Sequence, residues 1–260
     1  MVYIMMKTER LKLIEEMLIK QGTVEVANLC RIFGVAEMTI RRDLSELVNR
    51  EIAVRSHGGA TLAVHGVYSE SPYELRIKHH LKEKEAIARL ALPYVVDGEK
   101  IFFDSSTTAH CLARLINNEQ NFLVVTDTLP TALELNSRSN VKVVTLGGEL
   151  KKSTCSNIGM FAEQMLQSMH FNTAFIGLSR ISEDGLLSTT STSELSIKRT
   201  VIEHSQKVVV LVDSSKLLDH DFLEIGNLSQ VSTLITDSNM PTSFLSFARK
   251  LGVEVLVAEV

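Results

Sequence analysis

From residue 100 to its end the chain repeats one pattern, a short apolar run followed by a stretch with helical spacing. The runs fall at 100–103, 122–125, 141–145, 173–176, 207–212, 233–236 and 253–257, and Val, Ile, Leu, Phe and Thr dominate them. Such residues suit a buried, pleated strand. Parallel strands need a long crossover between them, and the intervening helical stretches supply one. The pattern predicts an α/β domain with a mostly parallel sheet. A charged helical stretch at 73–95, carrying Arg76, Lys78, Lys82, Glu83, Lys84, Glu85 and Arg89, leads into it.

Residues 1–62 carry a different signal. Helical spacing at 8–20 puts Leu11, Ile14, Met17 and Leu18 on one face, with Thr8 as the expected cap. A second helix is expected at 24–33, where Val24, Val26, Leu29 and Phe33 recur, and Gly34 supplies the tight turn of a helix-turn-helix. The third runs through Val35-Ala36-Glu37-Met38-Thr39-Ile40-Arg41-Arg42-Asp43-Leu44. Ile40, Leu44 and Leu47 can face a core there, which turns Glu37, Met38, Thr39, Arg41 and Arg42 outward. Arginine bonds guanine edges in pairs or clamps phosphate, while Thr and Met can touch a thymine methyl or a backbone oxygen. A charged helix face is also what ordinary solvation produces, so the flanks decide. Beyond the helix, 52–55 alternates, Ser56-His57-Gly58-Gly59 turns with glycines where positive φ is expected, and 60–62 returns. Three helices followed by this hairpin predict a winged helix-turn-helix, with Arg55, His57 and Gly58 joining the third helix against double-stranded DNA.

Charge does not oppose that reading. The net charge is -4, and residues 1–62 hold nine Lys and Arg against eight Asp and Glu, +1, which leaves -5 for the rest. A sequence-specific binder needs only a local basic face, here Arg41, Arg42, Arg55, His57 and Arg50. The three cysteines, Cys30, Cys111 and Cys155, stand far apart, and most of them read as inert buried thiols. Neither a Cys/His ligand spacing nor a Walker loop appears, so no metal and no cofactor is expected. No stretch is apolar enough to span a membrane or serve as a secretory signal, and a cytoplasmic protein is expected. Residues 63–72, with Gly66, Ser69, Ser71 and Pro72 and no sustained period, read as a linker between domains at 1–62 and 73–260.

Ligand chemistry is concentrated where the predicted strands end. The first runs into Asp104-Ser105-Ser106-Thr107-Thr108 and then a helical stretch, so hydroxyls and a helix N-terminus meet at the carboxyl edge of the sheet. The same hydroxyls could serve only as helix caps. Other strand ends carry Thr126-Asp127, Gly147-Gly148-Glu149 with Lys151 and Lys152, and Asp213-Ser214-Ser215-Lys216. Paired glycines allow close backbone approach, and Lys216 is a natural counter-charge for phosphate unless it merely pairs with Asp213.

The N-terminal features Gly22-Thr23-Val24, Gly34-Val35, Thr39-Ile40-Arg41-Arg42-Asp43-Leu44 and Arg55-Ser56-His57-Gly58-Gly59-Ala60 resemble the DeoR family of bacterial transcriptional regulators. So do Asp104 to Thr108, Leu146-Gly147-Gly148, Phe175-Ile176-Gly177, Glu194 with Lys198-Arg199, Asp213 to Lys216 and Ile235-Thr236-Asp237, so the resemblance covers nearly the whole chain. It implies a sensor domain similar to the ribose-5-phosphate isomerase and glucosamine-6-phosphate isomerase group, binding a phosphorylated sugar or related metabolite at the hydroxyl loop with Lys216. Asp104, Ser105, Ser106, Thr107, Thr108, Asp127, Gly147, Gly148 and Lys216 are the expected effector contacts. It also implies a repressor of a carbohydrate-metabolism operon, acting as a homo-oligomer, a dimer or tetramer, on operator half-sites.

Four positions depart from the family's habit. Ala36, Ser106, Asp127 and Asn172 stand where Ser, Gly, Asn and Asp are usual. No catalytic residue is expected. The isomerases resembled here carry acidic residues where this chain has Leu178-Ser179-Arg180-Ile181, and a catalytic Glu where it has Lys198, with Glu194 one turn earlier. A working isomerase and a domain that only oligomerises are the rival readings.

Overall fold

The computed structural model describes residues 6–50, 52–62 and 72–260. They fall into two compact units, one ending at His79 and one running from His80 to Val260. The expected linker at 63–72 lies outside the described residues, apart from Pro72. None of the described helices is long and apolar enough to cross a membrane.

The N-terminal unit holds α1 (Lys7–Gln21), β1 (Thr23–Glu25), α2 (Val26–Phe33), α3 (Glu37–Asn49), β2 (Ala53–Ser56), β3 (Gly59–Leu62) and α4 (Tyr73–Lys78). Leu11, Ile14, Leu18, Leu29, Ile40, Leu44 and Leu47 close its core, with Met17 packed against it. Thr8 does not cap α1. The helix starts a residue earlier, with Met6 at its N-cap and its carbonyl accepting from the Arg10 N–H at 3.0 Å. Val24 is buried as expected, but in a strand rather than a helix: β1 pairs antiparallel with β3, Val24 opposite Ala60. The wing is thereby three-stranded, in the order β1-β3-β2. This pairing also revises the role of the turn glycines. Gly58 has φ +82°, whereas Gly59 is required by contact, since a Cβ there would lie 2.0 Å from the Val24 carbonyl oxygen. Gly34, at φ +63°, closes α2 through a 2.9 Å bond to the Cys30 carbonyl, as the turn of a helix-turn-helix requires.

The single helix expected at 73–95 is broken. After α4, His79 is extended and His80 turns left-handed (φ +52°) before α5 (Leu81–Ala91), and Pro93 sits in a 3-10 turn at Leu92–Tyr94. The short α4 belongs to the N-terminal unit, where Leu75 is buried and Lys78 pairs with Glu15 at 2.9 Å.

The second unit continues with β4 (Lys100–Phe103), α6 (Thr107–Leu115), β5 (Phe122–Thr126), α7 (Leu129–Asn136), β6 (Val141–Thr145), β7 (Glu149–Lys151), β8 (Ser156–Ile158), α8 (Met160–Gln167) and β9 (Phe171–Ile176). It closes with β10 (Arg180–Ile181), β11 (Leu186–Thr189), α9 (Thr192–Glu203), β12 (Ser205–Leu211), β13 (Leu223–Asn227), β14 (Thr233–Asp237), α10 (Thr242–Lys250) and β15 (Glu254–Ala258). Seven strands form the main sheet in the order β15-β14-β12-β9-β4-β5-β6, all pairs parallel, and they are the seven runs expected from the sequence. Against one face pack Phe102, Ala174, Ile176, Val208, Val210 and Leu234, joined there by Leu166, Ile197, Val201 and Phe244 from the helices. The expectation missed the small antiparallel pieces, the hairpin β7-β8 and the sheet β10-β11-β13.

The strand order marks one edge of the sheet for ligands. From β4 the chain builds outward through β5 and β6, then returns to β9 on the other side of β4 and builds the opposite way. The switch point, where ligands bind in open α/β sheets, lies between the carboxyl ends of β4 and β9.

Candidate functional site

The residues expected to touch DNA or effector gather in two places. On α3 the side chains of Glu37, Met38, Arg41 and Arg42 are exposed and Thr39 is half-buried, while Ile40, Leu44 and Leu47 are buried. Ala36 is the N-cap and provides no side-chain bond, the departure expected from its lack of a hydroxyl, and α3 starts at Glu37 nonetheless. Arg41 is drawn to Glu37 one turn before it, Nε to Oε1 at 2.7 Å. Arg55, on β2, reaches across to α3 and donates to the Arg41 carbonyl at 2.7 Å and the Ser45 hydroxyl at 2.5 Å. The wing arginine thus braces the helix backbone. His57 and Gly58 occupy the exposed wing turn.

One residue of this helix was not foreseen as a determinant. Asp43 is buried beneath α3 and accepts from Arg10 of α1 twice, Nε at 2.6 Å and a terminal nitrogen at 3.2 Å. The pair fixes α3 against α1. Its signal in the sequence was a charge sharing a face with Ile40, Leu44 and Leu47.

At the switch point of the sheet the structure gathers a second set. Asp104 ends β4 and is buried; Oδ1 accepts the Ser106 N–H at 3.0 Å and Oδ2 the Gly177 N–H at 2.9 Å, so one carboxylate spans the ends of β4 and β9. Lys198, buried on α9, donates to the same Oδ2 and to the Gly177 carbonyl at 2.9 Å. Burial works against the Lys198 charge, but Asp104 and Glu194 outweigh it and hold its pKa above the ordinary lysine value. Ser106 caps α6, accepting from Ala109 N–H at 3.1 Å, with Thr107 and Thr108 buried in the first turn and Ser105 buried before it. Its capping role and its place at the switch point therefore coexist. Gly177 answers Ser106 directly: a Cβ at 177 would lie 2.3 Å from the Ser106 Cβ.

Asp127, at the end of β5, is also buried, and its Oδ1 has no hydrogen-bond partner among the described residues. Burial, then Asp104 and Glu194, push its carboxyl well above the usual carboxylate range, and Lys198 opposes this only in part. Its carbonyl accepts from Asn157 of β8 at 2.6 Å, which brings the β7-β8 hairpin over this edge. From β7, Lys151 reaches α9, donating to Ser191 at 2.8 Å and pairing with Glu194 at 3.3 Å. Gly147 and Gly148 connect β6 to this hairpin.

Lys216 follows the neighbouring strand β12 in a 3-10 turn, half-buried. Burial there works against the Asp213 charge, yet Lys216 beside it and a Ser215 hydrogen bond hold that carboxyl below its ordinary value. The lysine bonded to the Asp104 loop is Lys198. Neither Lys198 nor Glu194 was among the expected contacts; the spacing that brought them to notice marked a lost catalytic carboxylate instead. The departure at Asn172 lies at the other end of its strand, where its side chain takes the Lys100 N–H at 3.0 Å and stitches β9 to β4.

Comparison with known proteins agrees with both halves of this description. Residues 10–65 match the DeoR-like helix-turn-helix domain, and residues 79–238 match the DeoR C terminal sensor domain. The glycerol-3-phosphate regulon repressor of Escherichia coli (strain K12) is 32% identical over 93% of this chain and 95% of its own length. The transcriptional repressor GlcR of Bacillus subtilis is 31% identical over 98% of each chain, and the lactose phosphotransferase system repressor of Streptococcus mutans 33% over 90% and 93%. Ribose 5-phosphate isomerase A of Methanocaldococcus jannaschii overlays at a TM-score of 0.39, with 21% identity over 52% of this chain and 53% of that one, too loose a likeness to carry an argument. A helix-turn-helix unit followed by the matching sensor domain, both in full-length register with repressors of this kind, makes this chain a member of the DeoR family of transcriptional regulators.

Proposed function

We propose that this chain is a cytoplasmic repressor of carbohydrate-metabolism genes that binds its operator through the N-terminal unit and changes its grip when a phosphorylated sugar or related metabolite occupies the carboxyl edge of the sheet. The observation that carries the reading is the cluster at the switch point, Asp104, Asp127, Lys198 and Glu194 gathered beside the N-terminus of α6. Charged groups are seldom fully buried unless paired, and a cluster of them with perturbed pKa values is a candidate functional site. The free N–H groups of a helix start are a ready anion site, and Lys216 on the adjoining strand end supplies a counter-charge. Relatives named for glycerol-3-phosphate and lactose phosphotransferase regulation support the carbohydrate assignment.

In the DNA-binding unit, Arg41, Arg42, Thr39, Met38 and Glu37 face the major groove, and Arg55, His57 and Gly58 of the wing lie on the backbone. A homo-oligomer, dimer or tetramer, sets two such units on half-sites about one helical turn or a multiple apart. Effector that prefers one arrangement of the oligomer shifts operator affinity by that preference and no more.

An isomerase reading has less support. Proton abstraction beside a carbonyl needs an ionised carboxylate free to act, whereas Asp104 engages Ser106, Gly177 and Lys198, Glu194 pairs with Lys151, and burial with Asp104 beside it disfavours the ionised form of Asp127. Lys216→Ala tests the effector assignment: it should abolish the response of operator binding to the active sugar phosphate while DNA binding itself survives. A variant that still responds normally removes Lys216 from the site.

A further inference from the structure

The buried charges at the switch point pair off with one remainder. Asp104 has Lys198, and Glu194 has Lys151. Asp127 is buried like these carboxylates, yet among the described residues its Oδ1 meets no donor. A buried carboxyl oxygen without a partner costs about 1–3 kcal/mol, more when ionised, and such a group persists where something else completes it. Among the described residues no group of three or more His, Cys, Asp or Glu is placed to hold a metal ion, so a bound cation of that kind is not the missing partner.

We propose that Asp127 is the specificity determinant of the effector site and that it receives a protonated amine, so the effector is an amino sugar phosphate rather than a neutral one. This rests on the carboxyl edge being the effector site. An ammonium group supplies both things the cluster lacks, a hydrogen-bond donor for Oδ1 and a positive charge against the third carboxylate. Burial, then Asp104 and Glu194, push the Asp127 carboxyl above its ordinary value in the free protein, and those two carboxylates are the same charges that would attract the amine. A neutral hydroxyl would satisfy the oxygen and leave the charge unbalanced.

The test is calorimetric binding to the full-length protein of glucosamine 6-phosphate and galactosamine 6-phosphate, each against glucose 6-phosphate or galactose 6-phosphate, with inorganic phosphate as reference. Wild type should prefer at least one amino compound over its parent by about tenfold or more, the range of a charge-assisted hydrogen bond. The near-isosteric Asp127→Asn variant should bind the parent sugar as before and lose most of that preference. Equal binding of amino and parent compounds, or a preference that survives in Asp127→Asn, overturns the proposal and leaves the effector site standing. Binding of none of the sugar phosphates and no phosphate overturns the effector site itself, and this inference with it.

Discussion

Helix α3 and the edge of the central sheet both rest on cation–carboxylate pairs, and the two are used in opposite ways. Arg41 and Glu37 lie 2.7 Å apart with side chains 49% and 61% exposed. Lys198 and Asp104 make the same kind of bond at 6% and 1%. An exposed pair at this spacing contributes at most about 0.5 kcal/mol and opens readily, so Arg41 can leave Glu37 for a base or a phosphate. A buried pair cannot be opened without stranding a charge, so Lys198 and Asp104 serve as fixed walls. On the proposed roles, the helix face that meets DNA keeps its charges exchangeable, and the effector edge locks most of them and leaves Asp127 for the ligand. The inner face of α3 obeys the second rule, with Asp43 locked to Arg10.

The sharpest attack on this contrast is Asp43→Ala. It should cost the N-terminal unit about 3–5 kcal/mol in chemical denaturation, because the buried Arg10 loses its carboxylate, and replacing both residues with apolar ones of similar volume should recover most of the loss. A cost near that of an exposed pair would dissolve the distinction. Next comes Gly177→Ala, expected to destabilise by about 1–3 kcal/mol through overpacking against Ser106, with Ser106→Gly restoring most of it in the double variant. Failure of that rescue would mean the close approach at the switch point is not what fixes Gly177.

Arg41→Ala probes the exchangeable side. Operator binding should weaken by about 1–3 kcal/mol if the guanidinium reads a base, while the melting temperature stays put because its partner is solvated. Undiminished affinity removes Arg41 from the interface. The smallest effect concerns pH. Because the folded-state pKa of Asp127 is raised, the folded protein holds a proton that the unfolded chain has released, and stability falls as pH rises from the ordinary carboxylate value of about 4 toward the folded value. Asp127→Asn removes that contribution, so the variant should gain on wild type as pH increases through this window. Parallel stability curves would show that Asp127 titrates as an ordinary aspartate.

The seven sheet strands were legible because each is a compact apolar run with a helix-length gap on either side, and the recognition helix because its apolar residues repeat at helical spacing. Val24 shows the limit of that logic. Its burial suits a helix face and a strand alike, and only the wing strand beside it decides the matter. The break at His79–His80 carries no Gly or Pro to announce it, and the pieces β10, β11 and β13 are too short to show a period. At the candidate site, the hydroxyl loop could be found from its place after a strand. Lys198 could not, because its partner Asp104 is 94 residues away and meets it only once β9 lies beside β4.

The most direct test of the central claim is the affinity of the full-length protein for the DNA upstream of its own gene, at one stated salt concentration, with and without a panel of phosphorylated sugars. Salt must be fixed because phosphate contacts dominate such affinities. The expected result is salt-sensitive, sequence-preferring binding that one compound changes by about tenfold, roughly 1.4 kcal/mol of coupling, and that loses this response in Lys216→Ala. Operator binding that no phosphorylated sugar alters would contradict the claim and leave the second unit as an oligomerisation module.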